Sequence, residues 1–297
     1  MRNVAIVTDG SSDLPKELVE EYDINIAPFK VVFGDDVYHM MGNYGDITPD
    51  EFYQLYATRK DFPTTSVPSP QAFKDAIENA LKNANSVIGI FISSELSGTY
   101  QSAKRLAESM FSDKEVIIID SKVAASTLGA LVIEAAKMAK NNATKDEILK
   151  RINEIIPYGK LVSVQDNIDA VYRSGRVGWA KKFLVSTFKI KPILLFEEGK
   201  LVPGGTIRGR EEADKALRNA AKYIPTNCKT DLIFVWHVRS LEFANELKSI
   251  MEENNPDNKE IRVIEAGPVV GTHVGPGAIA FMYYGDYNPD WILKIEN

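Results

Sequence analysis

Cysteine is nearly absent. Cys228 stands alone in 297 residues, so no internal disulfide can staple the chain, and a reduced, cytoplasmic setting is expected. Its own reading is modest: a small residue in a turn before a strand. No paired-cysteine spacing and no His-Glu-x-x-His occurs, so neither a structural nor a zincin-type metal site is expected. No run approaches 18 apolar residues, which leaves no candidate membrane span. Met1-Arg2-Asn3 leads straight into a short apolar strand, too short for a signal h-region. Basic residues are not in excess: 35 Lys and Arg against 41 Asp and Glu give a net charge of −6, the wrong sign for a nucleic-acid binder. Gly-x-x-x-x-Gly-Lys-Ser/Thr and Gly-x-Ser-x-Gly are both missing, which removes a P-loop and a nucleophile elbow. Gly271 to Gly277 precedes a strand rather than a helix, unlike a dinucleotide fingerprint. Repeats and low-complexity tracts are lacking too.

What remains is an ordinary globular composition, 44% hydrophobic and 26% charged, long enough for two domains with sizeable cores. The most informative stretch runs from Val87 to Ala103. Val87 to Ile92 is apolar, rich in β-branched residues and uncharged, the mark of a strand buried on both faces. Ser93, Ser94, Ser97, Gly98 and Thr99 follow, and helical spacing then links Tyr100, Ala103, Leu106, Ala107 and Met110. A strand, a hydroxyl-rich turn and a helix start present free amides and the positive end of a helix dipole. Gly98 lets a ligand approach the backbone. Ser97 can cap the helix or donate to an anion, and both readings stay open.

In the first half, Val4 to Val7 reads as a buried strand, and Lys16 to Tyr22 as a helix with Asp13 as its cap and Pro15 in its first turn. Asp9 and Ser11 lie where open α/β sheets bind ligands, though turn chemistry explains them equally. Ile26 to Phe33 is expected to form a strand, His39 to Asp46 to be irregular, and a helix to begin near Pro49. Pro63 to Pro70 is a proline-stiffened loop carrying Thr64, Thr65 and Ser66, with Ser69 capping a helix over Gln71 to Lys82. Rigid hydroxyls suit ligand binding because little entropy is lost on contact; a plain connector is the other reading. Glu115 to Ile119 is a strand, Ala124 to Lys140 a buried helix, and Thr144 to Glu147 a capping box opening a helix to Ile156. This alternation implies a parallel, helix-covered sheet. Pro157-Tyr158-Gly159 is the best boundary, giving domains 1–157 and 158–297.

The second half changes character. Arg173 to Gly178 leads into a helix through Phe188; Ile190 to Phe196, Leu201 to Pro203 and Thr206-Ile207 read as short strands joined by Glu-Gly and Gly-Gly turns. Glu211 to Tyr223 and Leu241 to Glu253 are helices; Asp231 to Trp236, Ile261 to Ile264 and Ile279 to Tyr283 are strands. Ala266 to Ala278, with four glycines and two prolines around His273, reads as a tight loop with exposed backbone. Hydroxyls, one histidine and one or two arginines suit holding a carboxylate or phosphate better than transforming it. A serine hydrolase built from Ser97, His273 and Asp9 or Asp120 stays open as an alternative, since triads are defined by geometry.

Thr8 to Leu14, Thr65 to Pro70, Leu96 to Ala103, Ser174-Gly175-Arg176 and His273 to Ala278, in that order, resemble the motifs of the DegV family. The resemblance implies two α/β domains: an N-terminal one with a mostly parallel sheet and helices, a C-terminal one with a mixed or antiparallel sheet, and a lipid cleft between them. It implies a bacterial, non-enzymatic carrier that binds a long-chain fatty acid and presents its carboxylate to a separate fatty acid kinase, which makes acyl phosphate for phospholipid synthesis. Thr65, Ser97 and the Gly98 amide are then similar to the family's carboxylate ligands, with His273 and Arg176 close by. Arg208 and Arg210 resemble a basic motif for kinase contact. No metal or cofactor is implied beyond the fatty acid, and membrane contact would be transient.

The sequence departs from that pattern in three places. Gly10 stands where the family usually has Ser, Ser174 replaces the first Gly of Gly-Gly-Arg, and Ile207 occupies the place of a common lysine before Arg208. Tail-lining residues are expected to be scattered and apolar, with Phe29, Phe188, Ile190 and Phe281 as candidates. A relation to the substrate domain of dihydroxyacetone kinase, which traps its substrate on a histidine, keeps a phosphoryl-transfer subunit open as the other alternative.

Overall fold

The computed structural model describes residues 2–166, 168–183 and 190–294. The chain divides into two compact units: Met1–Pro157 with Gly267–Thr272, and Tyr158–Ala266 with His273–Asn297.

In the first unit the order is β1 (Arg2–Asp9), α1 (Lys16–Tyr22), β2 (Asn25–Ala27), β3 (Phe29–Phe33), β4 (Asp36–Met40), α2 (Pro49–Thr58), β5 (Thr64–Ser66), α3 (Pro70–Asn83), β6 (Ala84–Phe91), α4 (Thr99–Met110), β7 (Glu115–Asp120), α5 (Ala125–Lys140) and α6 (Lys145–Ile155). Strands β2-β1-β6-β7 form a wholly parallel sheet, as the alternation of strands and helices requires. The centres of these strands, residues 4–7 of β1 and 87–91 of β6, are apolar because helices cover both faces of such a sheet, and Val7, Val87 and Phe91 are fully buried. The Ile26 to Phe33 segment is two strands, not one. Pro28 lacks an N–H and cannot continue a ladder, so the chain leaves the parallel sheet there. It enters a three-stranded antiparallel sheet, β4-β3-β5, in which Phe29, Val31 and Phe33 alternate inward. The stretch expected to be irregular from His39 therefore begins as the end of β4. Helix α5 has 12 of its 16 residues buried, which its Ala and Leu content allows.

Side-chain caps open α2 (Thr48), α3 (Ser69) and α6 (Thr144), with full capping boxes at Thr48 and Thr144. Asp13 does not cap α1. It takes a left-handed φ of 51° and its Oδ1 accepts from the Gly267 amide at 3.1 Å, leaving Pro15 at the cap position with no side-chain bond.

The second unit contains β8 (Gly159–Val164), α7 (Asp169–Arg173), β9 (Ile190–Glu197), β10 (Lys200–Arg208), α8 (Arg210–Asn227), β11 (Leu232–His237), α9 (Leu241–Glu253), β12 (Glu260–Glu265), α10 (Pro268–Val274), β13 (Ile279–Tyr284) and α11 (Asp290–Leu293). Only the Pro268–Thr272 part of α10 groups with the first unit. The sheet order is β10-β9-β8-β13-β11-β12, antiparallel except for the β11–β12 pair, so it is mixed as expected. Glu198 and Gly199 have φ of 47° and 86°, the geometry of a tight hairpin turn between β9 and β10. Gly204-Gly205 is not a turn. It is an irregularity inside the continuous strand β10, between Pro203 and Gly205, with Gly205 at φ 122°, where a Cβ is disfavoured. Gly178–Phe183 forms a 3-10 helix; the helix expected beyond it, and Phe188, lie outside the described residues.

The Ala266 to Ala278 stretch also differs from the expected loop. Pro268 opens α10, and a Cβ on Gly271 would stand 2.5 Å from Tyr53 Oη, so the glycines there permit close packing of a helix rather than an open loop. Cys228 closes α8, buried, with its thiol donating to the Thr230 carbonyl at 3.3 Å. Phe281 sits in the apolar core of the second unit, so it is a packing residue. Phe29 is buried in β3, and Ile190 is exposed at the start of β9.

Candidate functional site

The C-terminal ends of β1, β6 and β7 lie side by side, the edge where open α/β sheets bind ligands. Asp9 ties the first two turns together. Its Oδ1 accepts from Ser11 N at 2.9 Å and from Ser11 Oγ at 2.5 Å, and its Oδ2 accepts from Ile92 N at 2.9 Å. Burial raises the Asp9 pKa against the lowering effect of these bonds. Asp120 does the equivalent job from β7: Oδ1 accepts from the amides of Ser94 and Lys122, each at 3.1 Å, and Oδ2 pairs with Lys122 Nζ at 2.8 Å. Burial works to raise its pKa, and bonds from Lys122 and Ser94 overcome that, so it is lowered. These two carboxylates hold turns in place, a structural task that triad orientation would compete with.

The turn they hold is divided in function. Ser93 is buried and its Oγ accepts from Glu95 N at 3.3 Å, while its carbonyl takes the amides of Leu96 and Ser97. Ser97 is half-buried and does not cap α4; its Oγ lies 2.8 Å from Thr99 Oγ1. Gly98 holds the cap position without a side-chain bond, and a Cβ built on it would meet nothing within 4 Å. Open space therefore stands over the start of a 12-residue helix whose first amides have no acceptor inside the helix. Thr65 is half-buried at the centre of β5, its backbone paired with Val31.

The other expected residues fall in the second unit. Arg176 is exposed after α7; its Nη1 donates to the Ser174 carbonyl at 2.5 Å, and its amide donates to Ser174 Oγ at 3.3 Å. Ser174 thus does work a glycine cannot. His273, in the last turn of α10, has its pKa lowered to about 4 by burial and then by the charge of Arg176. It is neutral near pH 7. Arg208 ends β10 exposed and makes no side-chain hydrogen bond or ion pair among the described residues. Arg210 is engaged within its own unit: Nε to Asp214 at 2.7 Å, Nη1 to Asp166 at 2.6 Å, and its guanidinium 5.7 Å from the Phe243 ring centre. Lys191 also pairs with Asp166, at 3.2 Å. The cavity beside this cluster is about 10 Å³, room for one water.

Sequence reasoning missed this Asp166–Lys191–Arg210 cluster, because its members are 44 residues apart and carry no motif. A groove of about 280 Å³ by Asn25, His39, Ser69, Gln71 and Asp75 contains none of the expected site residues. No cluster of metal-ligating side chains occurs among the described residues, and no described helix is long and apolar enough to cross a membrane.

Residues 3–286 match the sequence profile of the DegV family. This chain belongs to the DegV family. Among curated DegV relatives, a DegV domain-containing protein of Caldanaerobacter subterraneus is 33% identical over 283 residues, 95% of this chain and 99% of the relative. Among solved DegV structures, a fatty-acid-binding protein of Thermus thermophilus is 28% identical with a TM-score of 0.82, covering 96% of this chain and 100% of its own. A stearic-acid-binding protein of Eubacterium ventriosum is 25% identical with a TM-score of 0.80, covering 95% and 98%. The DegV fold of two α/β units, one with a parallel sheet and one with a mixed sheet, is thus shared along the whole chain.

Proposed function

We propose that this DegV protein binds a long-chain fatty acid, held at its carboxylate by Thr65 Oγ1, Ser97 Oγ and the Gly98 amide, and presents it to a separate fatty acid kinase. The observation that carries the reading is the uncapped start of α4, with open space over Gly98 and the Ser97–Thr99 hydroxyl pair beside it. Two solved relatives of this fold are described as binding fatty acid or stearic acid.

Each buried methylene contributes roughly 0.8 kcal/mol, so a chain of about fifteen contributes on the order of 12 kcal/mol before ordering costs. The tail then supplies affinity and the hydroxyls fix the head group. Neutral donors leave the carboxylate oxygen reactive toward an external phosphoryl donor, which suits a carrier that is not itself an enzyme. Arg176 and His273 join the carboxylate ligands on the family resemblance, supported by the effect of the Arg176 charge on His273. Of the two arginines assigned to kinase contact, Arg208 is the better placed, since Arg210 is committed to Asp166 and Asp214. The domains would be 1–157 and 158–297, and the setting cytoplasmic.

Denaturing extraction of the purified protein followed by mass spectrometry of the organic phase tests the central claim. A stoichiometric long-chain fatty acid is expected. An empty protein that also refuses added oleate and palmitate overturns it, and favours the phosphoryl-transfer alternative. Carbonyl-dependent trapping at His273 would support that alternative, as fluorophosphonate labelling of Ser97 would support a hydrolase.

A further inference from the structure

Helix α5 begins as α4 does, directly after a strand of the parallel sheet, but its start is buried. Ala124 holds the cap position in extended backbone without a side-chain bond, and Ala125 follows at φ 54°. Helical geometry leaves the first amides of such a helix without internal acceptors. Ala125 and Ser126 are at most 1% exposed, so bulk water does not reach them. Ser126 Oγ has no hydrogen-bond partner among the described residues, and neither has Ser12 Oγ, in the turn after β1; both residues are fully buried.

The two belong together. Gly129 lies one turn along α5 from Ser126, on the same face, and a Cβ on Gly129 would stand 2.6 Å from the Ser12 carbonyl oxygen. The Ser12 turn is therefore packed against the face that carries Ser126. Buried polar groups in folded proteins nearly always have partners. Two unpartnered hydroxyls beside an uncapped helix start describe a place where an oxygen is held. Asp9 and Asp13, both buried in the same turn as Ser12, disfavour an anion there. A neutral O–H fits: its oxygen accepts from the Ser126 amide and one serine hydroxyl, and its proton goes to the other serine.

Resting on the fatty-acid reading above, we propose that Ser12 and Ser126, with the Ser126 amide at the start of α5, form a second polar subsite that takes a hydroxyl carried on the acyl chain. The Ser12 turn and the Ser97 turn follow adjacent strands and are joined through Asp9. Neighbouring strands are only about 4.8 Å apart, so both subsites are within reach of one long-chain ligand. An ordered water offers the same O–H chemistry, and the experiment separates the two sources.

The full-length protein is loaded from an equimolar mixture of stearate with 3- or 5-hydroxystearate, then extracted under denaturing conditions and its ligands weighed by mass spectrometry. For at least one hydroxylated acid, enrichment of about tenfold over stearate is expected, the equivalent of about 1.4 kcal/mol. Ser12→Ala and Ser126→Ala should each lower it about threefold and the double variant abolish it, with stearate uptake retained. Removing an unpartnered hydroxyl leaves no orphaned donor behind, so melting temperatures should hold or rise. No enrichment for either acid overturns the subsite as a ligand site and leaves water as its occupant; enrichment that survives both substitutions overturns the residue assignment. Failure to take up any of the acids overturns the fatty-acid reading itself.

Discussion

Two kinds of helix start occur in the first unit. α2, α3 and α6 are closed by Thr48, Ser69 and Thr144, while α1, α4 and α5, which follow β1, β6 and β7, have no side-chain cap at all. The difference follows the sheet. Helices that merely pack on it satisfy their own amides, and those starting at the C-terminal edge of the parallel strands leave amides for something else. Within the second group, α4 is open above Gly98 and α5 is buried. Missing caps at that edge are where the proposals above place their ligands, and the degree of burial separates the proposed solvent-facing head-group site from the proposed internal one.

The proposed grip at the start of α4 is made of hydroxyls and an amide, whereas His273, proposed above to join it, titrates. The largest expected effect sharpens that contrast. The His273 pKa is lowered from 6.5 to about 4, so between these values the unfolded chain takes up a proton that the folded chain does not. Stability attributable to His273 is intact above pH 6.5, falls as pH falls through the window, and levels off below about 4, a loss of up to about 3 kcal/mol. Urea unfolding from pH 7.5 to 4.5 should show this slope, and His273→Gln should flatten it. A His273→Gln protein with an unchanged slope contradicts the assignment. His237, also lowered to about 4 by burial and then by Arg239, adds a slope of the same sign that this variant retains.

Glycines at the two uncapped helices break the comparison next. A Cβ at Gly129 meets the Ser12 carbonyl at 2.6 Å, so Gly129→Ala should cost about 2 kcal/mol through overpacking despite the better helix propensity of alanine. At Gly98 a Cβ meets nothing, and φ there is −71°. Gly98→Val should change stability by less than about 0.5 kcal/mol, yet reduce retained fatty acid at least tenfold by filling the approach to the amide. Equal melting shifts for the two variants would remove the distinction between an open and a closed helix start.

Much of this edge was legible before the structure. The apolar run before Ser93 and the helical spacing after Tyr100 located β6 and α4, because burial on both faces of a strand leaves no polar positions. The capping boxes at Thr48 and Thr144 differ in this respect: only the second was read, although both are complete. Asp13 and the Ala266 to Ala278 segment misled for one reason. Turn-forming residues have identical signatures whether they satisfy a local amide or a distant one. Asp13 reaches Gly267, 254 residues away, and Gly271 is glycine because of Tyr53, facts of packing that spacing does not encode. Gly10 is similar: a Cβ there would stand 2.1 Å from the Met40 carbonyl. The serine usual in the family would require that strand to shift.

The smallest stability effect gives the cleanest discrimination. Thr144 Oγ1 accepts from Glu147 N at 3.3 Å, and Glu147 Oε2 accepts from Thr144 N at 2.8 Å, so Thr144→Ala should cost about 1 kcal/mol and leave fatty-acid retention untouched. Ser97→Ala removes a hydroxyl whose described partner is only Thr99 Oγ1, a bond between a half-buried and a buried side chain rather than a cap. It should cost less than about 0.5 kcal/mol and lower retention about tenfold, with Thr65→Ala behaving likewise. If Ser97 and Thr144 variants lost stability equally and lipid not at all, the missing caps would be accidents of turn geometry. If they separate, the residue that stabilises least is the one that binds, because a hydroxyl already satisfied within the fold has little left to offer a ligand.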